Sequence, residues 1–265
     1  MDLELGGKRA LVTGSSSGLG QAIAGRLAAE GASVIIHGRD AEKVRAVTGG
    51  LQADGSHADG IAADLRDADQ VSRLVTEVAA GGPIDILINN AGAFVNRGWE
   101  ETTPGDWADI FETNVVSAVR LIHALVPGMR DRGWGRIIQL GTGEATNPFP
   151  RMPDYAASKA AIVNLTASLA KHLARTGITV NTVSPGIVVT PGVRAFYEQE
   201  AARCGWGQDW PVIEAAVLRE ILDNPTGRLG RPEEVADLVA LVASPRAGYI
   251  NGANLRIDGG STAVI

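Results

Sequence analysis

The chain has little cysteine and little histidine. Cys204 is its only cysteine, and the four histidines, at positions 37, 57, 123 and 172, are scattered along 265 residues. One cysteine excludes an internal disulfide, and neither residue type recurs at the spacing of metal ligands. The sequence therefore predicts no metal site and no disulfide framework.

Positive charge and long apolar runs are also scarce. The 24 lysines and arginines are outnumbered by 30 acidic residues, which gives a net charge of −6 and argues against nucleic acid and anionic membranes as partners. No run approaches the roughly 20 apolar residues of a membrane span, and the N-terminus lacks a cationic segment followed by an apolar run. We expect a cytoplasmic protein with a small molecule as its partner.

Apolar residues and glycine, in contrast, are abundant. Apolar residues make up 45% of the chain and glycines number 33, which suits a full core with tight turns. Short continuous apolar runs, typical of parallel strands buried on both faces, alternate with helical patterns. The alternation predicts an α/β fold, a doubly wound parallel sheet with helices on both faces, in one domain spanning 1–265. The predicted strands are 9–13, 33–37, 61–65, 84–88, 136–140 and 178–183.

A glycine loop follows the first predicted strand. It reads Gly14-Ser-Ser-Ser-Gly18-Leu-Gly20 and passes into a helical pattern. Such a loop aims backbone N–H groups and the positive end of a helix dipole at a phosphate, and its glycines allow a pyrophosphate to approach closely. The loop predicts a dinucleotide site, with an ordinary turn between strand and helix as the alternative.

The second predicted strand ends in Gly38-Arg39-Asp40. In a dinucleotide fold an acid at this place binds the ribose 2′-hydroxyl, whereas an arginine accommodates a 2′-phosphate. Gly38 stands where the acid is expected and Arg39 follows, so the pattern favours NADP(H). NAD(H) stays open because Asp40 could serve a ribose, and because Ser17 stands where a second basic residue would strengthen the case.

Tyr155 and Lys159 lie one turn apart in a helix predicted over 154–175. At i and i+4 they share a face, and a cation within roughly 4–6 Å lowers the pKa of a phenol by about 1–3 units from its ordinary value near ~10. Such a phenol can exchange a proton with an alcohol or carbonyl oxygen near neutral pH. The alternative is a packed tyrosine beside a solvated surface lysine.

Asn114 interrupts the apolar stripe of a second long helix, predicted over 104–130. Asparagine is a poor residue for a helix interior and is costly to bury without a partner. The sequence therefore predicts that Asn114 either faces solvent or holds a water molecule or another partner.

Together these motifs resemble the short-chain dehydrogenase/reductase superfamily, near the branch that contains the 3-oxoacyl-carrier-protein reductases. The resemblance spans the whole chain, and the motifs occur in the family's order. They are the stretches 13–20, 89–92, 155–159, 184–186 and 258–260, together with Asn114. The resemblance implies a Rossmann-like fold and an oxidoreductase that transfers a hydride between NADP(H) and a carbonyl or secondary alcohol.

The resemblance also implies roles for individual residues. Tyr155 would be the general acid–base, Lys159 would bind the ribose and lower the tyrosine pKa, and Asn114 would hold a water molecule. Thr142 would hold the substrate oxygen. With Arg39 added, the expected cofactor-binding residues are Gly14, Ser16, Gly18, Leu19, Arg39, Asp64, Leu65, Asn90, Ala91, Gly92, Tyr155, Lys159, Pro185, Gly186, Val188 and Thr190.

Thr142 is the one departure, since the family normally has serine there. Threonine keeps the hydroxyl but adds a methyl group and stiffens χ1, so we expect activity with an altered substrate shape. Two alternatives stay open. The chain could be an NAD(H)-dependent secondary-alcohol dehydrogenase, or a cofactor-binding regulator in which Thr142 impairs catalysis.

The segment 191–225 has irregular apolar spacing and is expected to form a helical lid over the substrate. Its Trp206 and Trp210 would either face an apolar or cyclic ligand or pack the lid onto the rest of the chain. Small ketones, sugars and polycyclic secondary alcohols are all compatible substrates. The helices predicted over 104–130 and 154–175 are longer than is needed to cover one sheet. The resemblance implies that they build a homotetramer or homodimer.

Overall fold

Seven strands pair into one parallel sheet in the computed structural model, which describes residues 2–262. They are β1 Arg9–Val12, β2 Ser33–Gly38, β3 Ala58–Ala62, β4 Ile86–Asn89, β5 Gly135–Leu140, β6 Ile178–Pro185 and β7 Asn254–Ile257. Their order, β3-β2-β1-β4-β5-β6-β7, changes direction between β1 and β4, and a ligand crevice opens at such a switch point. The predicted doubly wound fold is confirmed. Of the predicted span 1–265, Met1 and residues 263–265 lie outside the described part.

Helices cover both faces of the sheet. Along the chain they are α1 Gly18–Ala29, α2 Ala41–Ala53, α3 Ala68–Ala80, α4 Pro104–Phe111, α5 Ser117–Asp131, α6 Pro153–His172, α7 Pro191–Cys204, α8 Trp210–Glu220 and α9 Pro232–Ala243. Neighbouring residues of β1 point to opposite faces: Val12 packs with Leu27 and Val239, and Leu11 packs with Leu121. Each fully buried side chain of this kind contributes about 1.5–3 kcal/mol.

One predicted strand is misplaced. The third strand is β3, Ala58–Ala62, whereas the sequence predicted 61–65. As an edge strand, β3 pairs only with β2 and exposes Asp59 and Gly60, so the polar residues that broke the apolar pattern are tolerated there. Asp64 and Leu65 therefore lie in the loop after the strand rather than at its end.

The helix predicted over 104–130 runs from Pro104 to Asp131 without a break. Between α4 and α5 it widens into a π-helical turn, Glu112–Val116, which contains Asn114. An 18-residue window of this helix has a mean hydropathy of 1.2, and 39% of that window is buried inside the fold. By length and composition alone it could cross a membrane, which corrects the expectation that no stretch comes close. Here its apolar side packs under the sheet through Leu121 and Met129.

The segment after β6 is helical, as expected of a lid. Helices α7 and α8 pack together around a small apolar cluster that includes Tyr197, Ile213 and Val217. Trp206 and Trp210 pack against this cluster, and the Trp206 indole N–H donates to Glu220 at 2.9 Å. Of the two alternatives for these tryptophans, packing of the lid is the one observed.

Candidate active site

The glycine loop is fastened to the loop that follows β4. The Thr13 hydroxyl accepts hydrogen bonds from the backbone N–H groups of Asn90 and Ala91, at 3.0 and 2.9 Å. The Asn90 side-chain amide donates to the carbonyls of Thr13 and Gly14, at 2.8 and 3.1 Å. A Cβ on Gly20 would collide with that amide and with the Gly14 carbonyl. Glycine is therefore required where the two loops meet.

Gly38, Arg39 and Asp40 at the end of β2 have different structural roles. A Cβ on Gly38 would collide with the Ser16 hydroxyl, so an acidic residue does not fit there without displacing the glycine loop. Asp40 caps α2, accepting from two backbone N–H groups of its first turn at 3.0 and 3.2 Å. Arg39 is exposed between them. Asp40 is exposed as well, but its carboxylate is engaged by the helix cap and by the Lys43 ammonium at 3.8 Å.

His37 joins the glycine loop to the segment before Asp64. The His37 ring is buried, its Nδ1 accepts from the Gly14 N–H at 3.2 Å, and its Nε2 lies 3.1 Å from the Ala63 carbonyl. Both contacts are satisfied by the tautomer with the proton on Nε2. Burial lowers the pKa of His37 to about 4, so the ring stays neutral at physiological pH. Sequence reasoning missed this residue, because a histidine inside an apolar strand has no spacing signal.

Asp64 and Leu65 lie on the same side of the crevice, beyond β3. The Asp64 carboxylate pairs with the Arg66 guanidinium at 2.6 Å, and this hydrogen bond lowers the pKa of Asp64 to about 2. Leu65 is buried in the core, and its carbonyl accepts from Arg120 at 3.1 Å. The expected adenine-side residues are thus held by arginines in defined positions.

Tyr155 and Lys159 lie in the first two turns of α6, close to each other as predicted. The Lys159 ammonium lies 5.9 Å from the centre of the Tyr155 ring and donates to the Leu140 carbonyl at 2.7 Å. Lys159 is therefore buried and anchored to the carboxyl end of β5, rather than solvated at the surface.

The predicted lowering of the tyrosine pKa is wrong for this structure. Burial raises the pKa of the Tyr155 phenol, the Glu144 carboxylate raises it further, and the nearby Thr142 hydroxyl lowers it only in part. Burial also lowers the pKa of Lys159 to about 8. The i,i+4 spacing places a cation nearby, but loss of water disfavours both charged forms and outweighs that attraction.

Asn114 has found protein partners inside the π turn. Its side-chain oxygen accepts from the Ala93 N–H at 2.8 Å, and its amide donates to the Ala93 carbonyl and the Ser158 hydroxyl, each at 3.0 Å. The Ser158 hydroxyl in turn donates to the Tyr155 carbonyl at 2.7 Å. A Cβ on Gly92 would lie 3.1 Å from the Asn114 oxygen. Asn114 therefore ties the loop after β4 to the helix that carries Tyr155.

A cavity of about 250 Å³ opens in front of Tyr155. Thr142, Tyr155 and Glu144 form its polar wall, and Phe94, Phe149 and Phe196 are among its apolar neighbours. Several of the expected cofactor-binding residues line it as well: Leu19, Tyr155, Pro185, Gly186, Val188 and Thr190. The remaining ones do not line this cavity. A Cβ on Gly18 would lie 3.6 Å from Thr190, so the two groups adjoin.

Sequence reasoning missed the residues that shape this cavity. Glu144 follows Thr142 by two positions in a 3₁₀ turn, Gly143–Ala145, and burial raises the pKa of its carboxyl to about 7. Phe94 packs near Tyr155, with ring centres 6.0 Å apart, and near Phe196, at 6.5 Å. The only available signal was the proximity of Glu144 to Thr142 along the chain.

The residues along the crevice fit a nicotinamide dinucleotide. The loop between β1 and α1 has left-handed glycines, with φ of +63° at Gly14 and +56° at Gly18, and a Cβ on Gly14 would lie 2.9 Å from the Ala91 Cα. This is a cradle that side chains would fill, at the N-terminus of α1, where backbone N–H groups favour phosphate.

A model of the family described as short chain dehydrogenase matches residues 8–201. The chain belongs to this family. It is 36% identical over 259 residues to the 3-oxoacyl-[acyl-carrier-protein] reductase of Vibrio cholerae, covering 97% of this chain and 98% of the relative. An uncharacterized oxidoreductase of Bacillus subtilis is 36% identical over 263 residues, with 98% of each chain covered. These relatives confirm the predicted superfamily and its branch.

Solved structures agree with this assignment. The L-sorbose reductase of Gluconobacter frateurii, in complex with NADPH and L-sorbose, superimposes with a TM-score of 0.95 at 34% identity over 100% of both chains. A gluconate 5-dehydrogenase of Burkholderia cenocepacia, in complex with NADP and tartrate, gives 0.87 at 30% identity over 100% of this chain and 98% of its own. This short-chain dehydrogenase is thus an NAD(P)-dependent oxidoreductase that acts between alcohol and carbonyl groups.

Proposed function

We propose that this short-chain dehydrogenase reduces a small-molecule ketone with NADPH, with Tyr155 as the general acid–base. The observation that carries the proposal is the wall of the cavity, where the Thr142 and Tyr155 side chains lie together with Lys159 behind them. In such a wall two hydroxyls can hold one carbonyl oxygen, and one of them can give it a proton.

NADP(H) is the proposed cofactor, in preference to NAD(H). The steric exclusion at Gly38 and the use of Asp40 as a helix cap leave Arg39 to pair with a 2′-phosphate, a bidentate interaction that suits guanidinium. The sorbose reductase and gluconate dehydrogenase structures contain NADPH and NADP. The other expected cofactor-binding residues would hold the dinucleotide along the crevice, from Asp64 and Leu65 past the glycine loop to Pro185, Gly186, Val188 and Thr190.

The protein's share of the reaction is orientation and proton management. When bound, the nicotinamide supplies or takes up the hydride. Tyr155 and Thr142 would hold the substrate oxygen, and the raised pKa of Tyr155 keeps its phenol protonated at neutral pH. A protonated phenol suits the donor role, and therefore the reductive direction. Lys159 would contact the ribose, while Asn114 keeps α6 and the loop after β4 in register.

The structure around Thr142 supports a working catalyst over a cofactor-binding regulator. The Thr142 hydroxyl lies close enough to the phenol to lower its pKa in part, which supports this hydroxyl as the group that would hold the substrate oxygen with Tyr155. The extra methyl group would narrow the cavity rather than remove the hydrogen-bond donor.

We further propose a single domain that assembles into a cytoplasmic homotetramer or homodimer, without nucleic acid or membrane as a partner. Trp99, which is 65% exposed, lies against the half-buried Trp107 of α4, with ring centres 5.5 Å apart and ring planes tilted by 41°. An exposed tryptophan held against the start of the long helix is the kind of surface that a second copy covers. The net charge of −6 argues against anionic partners.

The reaction is tested with a panel of ketones and secondary alcohols, by following the absorbance of the reduced nicotinamide. We expect ketone-dependent oxidation of NADPH, at a kcat/KM at least about ten-fold higher than with NADH, which is the worth of one charge-assisted interaction. Tight NADPH binding without turnover of any compound would instead support the regulator. Equal use of NADH would support the NAD(H)-dependent dehydrogenase.

A further inference from the structure

Glu144 places a carboxyl group in the substrate cavity beside the reacting hydroxyls. It lies in the 3₁₀ turn after β5, and its backbone N–H donates to the Thr142 hydroxyl at 3.4 Å. Both side chains line the cavity together with Tyr155. The charge of Glu144 raises the pKa values of Tyr155 and Tyr197. The carboxyl therefore faces the space in which the substrate oxygen would be held.

One oxygen of this carboxyl group lacks a partner in the folded chain. Glu144 Oε2 is buried, and no hydrogen bond from any residue within 2–262 reaches it. Arg151 also lines the cavity and lowers the pKa of Glu144 in part, but within the described chain the two do not form a salt bridge. Buried polar atoms are nearly always paired, since leaving one unpaired costs about 1–3 kcal/mol. The geometry calls for a ligand group that donates a hydrogen bond.

The surroundings decide between a hydroxyl and an ammonium group as that donor. Arg151 lines the cavity and the Lys159 ammonium lies 5.9 Å from the centre of the Tyr155 ring, so positive charge near the cavity disfavours a cationic substrate. Much of the remaining wall is apolar, with Phe94, Phe149 and Phe196, and burying another charge there would be costly. A neutral hydroxyl can donate to the carboxyl without these costs.

We propose that Glu144 binds a second hydroxyl of the substrate, on a carbon close to the reacting carbonyl. The substrate class is then a hydroxyketone, and the product a diol with neighbouring hydroxyls, rather than a plain ketone and alcohol. The inference rests on the proposed reduction and specifies its substrate. It makes Glu144 a specificity-determining residue, while Thr142 and Tyr155 hold the reacting oxygen.

The experiment measures kcat/KM with NADPH for matched pairs: acetone with hydroxyacetone, butanone with acetoin, and cyclohexanone with its α-hydroxy derivative. The wild type is expected to prefer the hydroxyketone of each pair by about ten-fold or more. Glu144→Leu keeps the volume but accepts no hydrogen bond, so the preference should disappear. Glu144→Gln still accepts a hydrogen bond and should retain part of the preference for the hydroxyketone. Glu77→Leu, at an exposed position on α3, is the control and should leave the ratio unchanged.

The ratio of the two kcat/KM values of a pair, measured on one protein preparation, distinguishes substrate binding by Glu144 from a purely structural role. If Glu144 only supported the fold, Glu144→Leu would lower both rates and leave their ratio intact, which would overturn the inference but not the proposed reduction. A wild type that shows no preference within any pair would also overturn it. Absence of turnover of every ketone by the wild type would overturn both proposals. Calorimetric binding of cyclohexanol and its vicinal diol to the same variants gives a second readout without turnover, and the same ordering is expected.

Discussion

The two ends of the crevice are built by different means. At the cofactor end the backbone does the shaping: Gly14, Gly20 and Gly38 stand where a Cβ would meet Ala91, Asn90 or Ser16. At the substrate end, side chains from three separate stretches, such as Phe94, Glu144 and Phe196, enclose the cavity. The first end admits few residue types at each position, whereas the second can change its shape with each substitution. The two related structures fit this difference, since they contain NADPH or NADP together with different small molecules, L-sorbose and tartrate.

At the cofactor end, the largest expected effect is a loss of folding stability as the pH falls. The folded-state pKa of His37 is lowered to about 4 from an ordinary value near 6.5, so between these values the unfolded chain binds a proton that the folded chain does not. The contribution of His37 to the free energy of unfolding is fully present above pH 6.5, and roughly 3 kcal/mol of it is lost as the pH falls towards 4. Denaturant unfolding at several pH values gives the free energy of unfolding of the wild type and of His37→Gln. The same dependence of this free energy on pH in both proteins would refute the prediction.

Adding a methyl group to the glycine loop should weaken dinucleotide binding. Gly20→Ala forces Asn90 or the Gly14 carbonyl to move, at a cost of about 1–3 kcal/mol. We expect the NADPH dissociation constant, measured by calorimetry, to rise by up to about a hundred-fold. Gly25→Ala lies in the same helix with nothing within 4 Å of the added Cβ and is the matched control. Equal affinities in the two variants would show that the backbone fit does not control binding.

Removing the exposed arginine should change the choice of cofactor. Arg39→Ala is expected to weaken NADPH binding by about ten-fold, the worth of one charge-assisted interaction, and to leave NADH binding unchanged. Asp40→Ala removes the cap of α2 and costs about 1 kcal/mol of stability, but it should not alter the ratio of the two affinities. Titration of both cofactors into both variants distinguishes these outcomes, and equal losses for NADPH and NADH in Arg39→Ala would contradict the assignment.

The smallest effect is expected from the methyl group of Thr142. Thr142→Ser keeps the hydroxyl and should change kcat/KM by only a few-fold, whereas Thr142→Val keeps the shape and should lower it by about ten-fold through the lost hydrogen bond. Steady-state kinetics on one ketone provides the comparison. If serine and valine behaved alike, the methyl group rather than the hydroxyl would be the feature that matters.

The cofactor end leaves a stronger signal in the sequence than the substrate end does, for physical reasons. Gly14, Gly20 and Tyr155 could be found because local geometry restricts those positions to particular residue types at fixed spacing. Glu144 and Phe94 acquire their roles only when β4 and β5 bring separate loops together. Trp206 gave an ambiguous signal, because composition cannot tell an aromatic side chain that packs a lid from one that faces a ligand.

Two further errors arose from burial, which a linear pattern does not contain. The spacing of Tyr155 and Lys159 gave their proximity, but the sign of the tyrosine pKa shift depends on how much water surrounds the phenol. The third strand was placed too late because Asp59 and Gly60 are exposed at the sheet edge, where an apolar pattern is not required.

The most direct test of the account replaces Tyr155 by phenylalanine and measures turnover and NADPH binding side by side. Removing the phenolic hydroxyl eliminates the proposed proton donor while leaving the cofactor cradle in place. We predict that kcat falls by roughly 10²–10⁴-fold and that the NADPH dissociation constant stays within about two-fold of the wild type. A variant that turns over ketone at nearly the wild-type rate would contradict the assignment of Tyr155.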